Sequence, residues 1–492
     1  MRLVSRRTGT VEWLHVGWLR ALLATAVGAC GGDARTVDDT APETEVGNTD
    51  DARDASDSLD DDDATADPAD TTDRAETTAD IADTSTVAAT STVADTSTAD
   101  TEPPFDALGA LCQLTLVCDR PPLVEDDEID CRFSVTDGQG TVWYDGAAVV
   151  WVRGRISVEA PKRGYGLELR DATGEDAEVD LLGMGSDSDW VLNGLYFDRL
   201  LLRNKLGFDL FQSFGGDERY APQSGLCELT LDGAPVGVYA LTERIKRDGS
   251  RIDIARDDGS GGSFVMKQND ADCFYDNLTT YGCWKLVSPN ENDLPESSAA
   301  GIRGFLAAME AAVRSADPYD ELTGVFAYVD IDSFVDIVLL EELFKNEDCW
   351  YTSMHIWKDQ GGKVHFVPWD LDMTFGQFPS YMDYGDPELW IKFRPEWVTV
   401  MMASPEFKAR LVARWRDLRA GVLADEALFA RLDAAQAVLG EAIDRNFALW
   451  DIELINTSVP FYPVTNYAEE DAAVRRWISL RTSFMDAHLQ DL

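Results

Sequence analysis

Thr352-Ser353-Met354-His355-Ile356-Trp357-Lys358-Asp359-Gln360-Gly361-Gly362-Lys363-Val364-His365-Phe366-Val367-Pro368-Trp369 reads as a β-hairpin set in an otherwise helical stretch of the chain. Thr352 to Lys358 alternates in polarity as a half-buried strand does, Asp359 to Gly362 has turn composition, and Lys363 to Trp369 returns. If Lys358 pairs with Lys363, Tyr351 comes opposite Asp370 and Cys349 opposite Asp372, with opposed residues roughly 5 Å apart. Asp348, Asp370 and Asp372 then converge at one end of the hairpin, although a register slip of one residue would redirect them. Clustered carboxylates repel one another unless a positive charge lies between them. In an all-oxygen site that charge is usually Mg2+, Mn2+ or Ca2+.

Helices are expected around this hairpin, over residues 297–315, 332–344, 405–423 and 425–449. Upstream, from Leu111 to about Ile245, the pattern is strand-like: Ala148 to Val152, Gly166 to Leu169, Glu228 to Leu231, and the turn Asp232-Gly233 leading into Val236 to Leu241. One helix over 198–214 interrupts it, with Leu201, Leu202, Leu206, Phe208 and Leu210 on its apolar face. A strand-rich half followed by a helix-rich half predicts an α+β, two-lobed molecule, divided at 107–245 and 246–492, with a ligand cleft between the lobes.

The chain carries 42 Lys and Arg against 90 Asp and Glu, a net charge of -48, which excludes nucleic-acid binding through a basic face. Arg2, Arg6, Arg7 and Arg20 precede the apolar run Ala21 to Ala29, and then comes Cys30. This reads as a signal peptide over 1–30, and Val27-Gly28-Ala29-Cys30 resembles a bacterial lipobox that would lipidate Cys30. Residues 31–106 are Asp, Thr, Ala and Ser with almost no large apolar side chains, a composition that reads as a disordered acidic tether. The expected location is outside the cytoplasm, in the periplasm or at the cell surface, with the lipid as the membrane anchor. Seven further cysteines predict disulfides: Cys273 with Cys283, a pair among Cys112, Cys118 and Cys131, and at least one thiol left over.

Several motifs occur in order. They are Arg153-Gly154-Arg155 with Pro161-Lys162, Leu181-Leu182-Gly183-Met184 with Asp189-Trp190-Val191-Leu192, Leu202-Arg203-Asn204-Lys205, and Gly237 to Glu243. After these come Glu342-Leu343-Phe344-Lys345-Asn346-Glu347-Asp348 and Pro368-Trp369-Asp370-Leu371-Asp372-Met373-Thr374-Phe375-Gly376. From Val150 to Gly376 this series resembles the CotH family of secreted proteins, which are similar to atypical protein kinases. The resemblance implies a two-lobed kinase-like fold with a strand-rich N-lobe and helix-rich C-lobe, and transfer of phosphate from ATP, with Mg2+ or Mn2+, to Ser or Thr hydroxyls of secreted or surface proteins.

By position, the resemblance makes Asp348 the catalytic base, Asp370 the main metal ligand and Asp372 its assistant. Lys162 would meet the α and β phosphates with Arg203 in support, and Glu243 would border the adenine. Ser353 stands five residues after Asp348, where a kinase loop has a metal-holding asparagine, and would be a shorter metal ligand.

Plainer readings stand beside these. Asp370 and Asp372 are also residues that cap a strand end, Lys267 or Lys285 could replace Lys162, and Arg203 could pair with Asp198 or Asp209. No Walker A loop, dinucleotide fingerprint or G-x-S-x-G elbow occurs, and His355 with His365 makes a weak zinc site. The alternative function is a catalytically inactive surface-binding or scaffold lipoprotein that keeps the fold.

Overall fold

The computed structural model describes residues 111–120, 127–154, 157–215, 219–269, 273–276, 283–377, 385–453, 455 and 462–492. The expected signal peptide, Cys30 and the acidic tether lie outside the described residues, as does Arg155.

The strands read from alternation in the first half are all present, and they close on themselves. β1 (Cys112–Cys118), β2 (Ile129–Thr136), β3 (Val142–Arg153), β4 (Gly164–Arg170), β7 (Asp189–Asn193), β9 (Ala234–Glu243) and β8 (Ser224–Leu231) form a closed barrel in that order. Two short strands, β5 (Val179–Asp180) and β6 (Ser186–Asp187), pair separately. The barrel closes where β1 runs parallel to β8, Cys112 beside Cys227, with the other neighbours antiparallel. Alternation along each strand sends Leu114, Leu116, Phe133, Val135, Leu167 and Leu169 into a separate core, each fully buried.

Closure overturns one expectation. The α+β class holds, but the strand-rich half is a seven-stranded barrel and not the strand-rich N-lobe of a kinase-like fold. The physical reason is the β1–β8 pairing, which satisfies the backbone groups that an open sheet would leave at its edges. The strand β1 that makes the closure is fixed at both ends, by Cys112–Cys227 and Cys118–Cys131. Cys273–Cys283 is the third disulfide, and Cys349 is a buried free thiol. Cys273–Cys283, Cys118–Cys131 and the leftover thiol follow the expectation, Cys112–Cys227 is a pair that it did not name, and three disulfides suit an oxidising compartment. Among the described residues no helix is long and apolar enough to cross a membrane.

Eight helices occur among the described residues: α1 (Arg203–Ser213), α2 (Glu296–Val313), α3 (Ile331–Phe344), α4 (Glu396–Met402), α5 (Pro405–Arg419), α6 (Asp425–Leu439), α7 (Ala442–Leu449) and α8 (Tyr467–His488). The helix expected over 425–449 is two, broken where Gly440 takes φ +48°. The helix expected from 198 begins at Arg203, because Leu201 at φ +65° interrupts the turn before it. α3 is buried on nearly every side, with Asp330 capping its start and Lys345 ending it in the left-handed region.

The helical half has a sheet of its own, ordered β11 (Cys283–Ser288), β10 (Phe264–Asn269), β12 (His355–Lys358), β13 (Val364–Val367). One face, with Phe264, Met266, Ile356 and Phe366, joins the main core under the helices. The other face carries Lys285, Lys267 and His355 side by side, with Trp357 stacked on His365 at 4.2 Å between ring centroids.

α7 lies against β9, and Gly237 at φ +99° makes the close approach possible. A Cβ there would fall 2.6 Å from the side-chain oxygen of Asn446.

Candidate active site

The hairpin is present but shifted from the expected register. Lys358 pairs with Val364 and His355 with Val367, so five residues form the loop instead of four. Gly361 takes φ +69° inside a turn that Gly362 closes by donating to the Asp359 carbonyl, and Lys363 becomes the extra loop residue. The expected oppositions of Tyr351 with Asp370 and Cys349 with Asp372 therefore do not occur. Among the described residues no three His, Cys, Asp or Glu side chains are grouped as metal ligands.

Two of the three aspartates do come together. The carboxyls of Asp370 and Asp372 hydrogen-bond to each other, and the Ser353 hydroxyl donates to Asp370 Oδ2 at 3.4 Å. Burial, and then the Asp370 charge, pushes the Asp372 carboxyl well up. Burial raises Asp370 too, against the Ser353 and Asp372 hydrogen bonds. Asp370 is nevertheless exposed to water and Asp372 is half-buried, so the pair is open to solvent. Two carboxyls this close hold a proton or a cation between them. Their donor set is oxygen only, two carboxylates and a hydroxyl. It fits Mg2+ or Mn2+, which commonly take one or two protein carboxylates and complete their shell with water and substrate phosphates.

Asp348 is half-buried on the turn after α3 and is not grouped with that pair as a third metal ligand. Asn346 links the two: its side-chain oxygen accepts from the Asp348 amide at 3.3 Å, and its side-chain nitrogen donates to the Asp370 carbonyl at 3.4 Å. The rest of the Glu342 to Asp348 motif is anchoring. Glu342 accepts from Arg481 at 2.8 Å and from Arg394, and Lys345 pairs with Glu347 at 2.9 Å in the interior.

The backbone of the Asp370 to Gly376 loop is gripped at nearly every residue. Leu371 donates to Asn204 Oδ1 at 2.6 Å, Phe375 donates to the Phe344 carbonyl at 3.1 Å, and the Thr374 carbonyl accepts from Arg203 at 3.0 Å. Tyr462 donates to the Phe375 carbonyl at 2.9 Å. Gly207 lets α1 approach, since a Cβ there would meet a Leu371 methyl at 2.1 Å. These bonds hold Asp370 at φ +62°, a left-handed conformation that a non-glycine residue keeps only when its surroundings impose it.

The residues expected to meet the nucleotide are placed differently. Lys162 is buried, donating to Asn446 Oδ1 at 2.8 Å and to the Val238 carbonyl, and burial holds its ammonium well below the ordinary lysine range. Arg203 is fully buried between Asp198 at 2.7 Å and Glu470 at 2.6 Å, so the Asp198 pairing is the one formed, while Lys205 takes Asp209. Glu243 is sealed against Arg251 at 3.0 Å, the Gln223 amide at 2.9 Å and Tyr220 at 3.1 Å, its carboxyl pushed up to about 7 by burial.

Arg203 acts on Asp372 from inside the fold, and a further cation, Arg153, acts on Asp370. Arg153 lies over the Trp369 ring at 5.7 Å, and its charge acts on both Asp370 and His355. Lys267 is the cross-strand neighbour of His355. Burial, followed by those two cations, lowers the His355 imidazole to about 3 and keeps it neutral. Sequence reading quoted Arg153 within a motif and gave it no role. The signal that finds it is the length of β3, which ends at Arg153 and delivers it to Trp369.

A family model described as CotH kinase protein matches residues 150–485. The chain belongs to the CotH kinase family, and so to a kinase-like class of proteins. No curated protein matches it closely enough to count as a relative.

Proposed function

We propose that this chain is an exported phosphotransferase that moves the γ-phosphate of ATP to hydroxyl groups, Ser or Thr, of secreted or surface proteins. The observation that carries the reading is the Asp370–Asp372 carboxyl pair with the Ser353 hydroxyl, Asp370 exposed to water and Asp372 half-buried. Mg2+ or Mn2+ held there would neutralise phosphate charge as it shifts toward the leaving ADP.

Asp348, tied through Asn346 to the Asp370 loop, is the group that orients the acceptor hydroxyl and takes its proton while the oxygen attacks the γ-phosphorus. Arg153, whose charge acts on Asp370, is the cation best placed for the phosphates, and Lys267 joins it in acting on His355. Lys162, Arg203 and Glu243 instead act from inside the fold. Export with lipidation at Cys30 and a membrane held at the length of the tether complete the proposal, with three disulfides in support.

Purified protein incubated with labelled ATP and Mg2+ or Mn2+ tests this. The expected result is autophosphorylation that falls about 100-fold or more in Asp348→Ala and Asp370→Ala, with both variants still folded. Label incorporation untouched by both substitutions removes the assignment. A metal-dependent thermal shift with ATP and no transfer favours the scaffold alternative.

A further inference from the structure

The acidic loop is supported from the far end of the chain. Glu470, in the first turn of α8, is fully buried and holds two guanidinium groups, Arg203 Nη2 at 2.6 Å and Arg199 Nε at 3.1 Å. Arg203 in turn donates to the Thr374 carbonyl and pairs with Asp198. Tyr462, which donates to the Phe375 carbonyl, lies within 3.3 Å of Glu470 and 3.1 Å of Arg203, and Arg199 stacks over its ring.

In this buried group two cations face two anions. The next carboxyl beyond it is Asp372, which the Arg203 charge attracts and the Asp198 charge repels. Neutralising Glu470 leaves an excess of positive charge on Arg203, which already acts on Asp372. The Asp372 carboxylate would be drawn toward Arg203 and away from Asp370.

We infer that Glu470 is a positioning residue for the Asp370–Asp372 pair, acting through Arg203, so that the C-terminal helix sets how tightly the pair takes a divalent cation. This rests on the cation reading proposed above. Outer groups that orient metal ligands commonly govern affinity in this way.

Free Mn2+ measured by electron paramagnetic resonance during titration of the whole protein tests the inference without relying on activity. In Glu470→Gln the half-saturating Mn2+ concentration is expected to rise about ten-fold. In Tyr462→Phe it is expected to rise about three-fold. Asp491→Asn removes one charge from an exposed site near the same terminus, and is expected to leave it unchanged.

Wild-type half-saturation in both Glu470→Gln and Tyr462→Phe overturns the inference while the cation site stands. If Glu470→Gln does not fold, Tyr462→Phe decides alone. If Asp370→Asn binds Mn2+ as the wild type does, the cation site itself is wrong and the inference falls with it.

Discussion

The barrel and the acidic loop are both rigid, and they are made rigid by opposite means. The barrel interior is apolar, closed by a ladder of backbone hydrogen bonds and pinned at β1 by two disulfides. The loop from Asp370 to Gly376 is held by polar side chains reaching in from α1, α3 and the C-terminal segment. Apolar packing tolerates small shifts, because hydrophobic attraction has little directional preference. A hydrogen bond or buried ion pair fixes a direction as well as a distance. The difference teaches where the molecule needs precision: it spends buried charge where a carboxyl pair must be aimed.

Three perturbations sharpen that contrast. The largest expected effect is in the polar region, where Asp198→Ala leaves Arg203 with an unbalanced buried charge. A loss of about 3–5 kcal/mol is expected, read by urea denaturation, together with loss of metal-dependent nucleotide binding. A loss of stability with metal binding intact would show that the loop does not depend on this network.

Opening the barrel should cost somewhat less. Cys112→Ser with Cys227→Ser removes the closing link across 115 residues, and about 2–4 kcal/mol is expected. Phosphotransfer by the folded fraction should be unchanged. A parallel loss of both would mean that barrel and site are coupled.

The smallest effect concerns Glu341, buried on α3 with its carboxyl pushed up to about 8 by burial and by the Glu342 and Asp370 charges. The unfolded carboxyl titrates near 4.5, so the native form takes up the proton. Its favourable contribution is complete below about 4.5 and lost as pH rises to about 8. Glu341→Gln should therefore flatten the decline in melting temperature between pH 5 and pH 8, by a few degrees at most. An unchanged slope would place that decline on other carboxyls, such as Glu243.

The sequence made much of this legible, for reasons that differ by region. Alternation revealed the barrel strands, and Asp232-Gly233 announced the β8–β9 turn, with both residues at positive φ. Alternation is silent about which strand meets which, so the parallel β1–β8 contact and the closed barrel were out of reach. Asp370 and Asp372 were singled out by hairpin register and by the family resemblance, and Ser353 by its spacing from Asp348. The register was one residue off because Gly361 and Lys363 lengthen the loop, and Asp370 and Asp372 lie beyond the paired part of the hairpin, on a segment where Asp370 takes a positive φ.

For Arg203 a pairing with Asp198 or Asp209 was the plainer reading, and the family resemblance assigned Lys162 and Arg203 to the phosphates by position. Their buried partners, Asn446 and Glu470, lie more than 260 residues away in each case. No local pattern carries that information.

The β1–β8 closure also bears on how the chain can be made. β1 leaves the ribosome before any of its barrel neighbours, yet its parallel partner β8 arrives only after four other barrel strands have followed. The earliest strand thus waits for most of the barrel before its second neighbour arrives. A Cys112–Cys227 bond is a record that the chain has been delivered as far as β8.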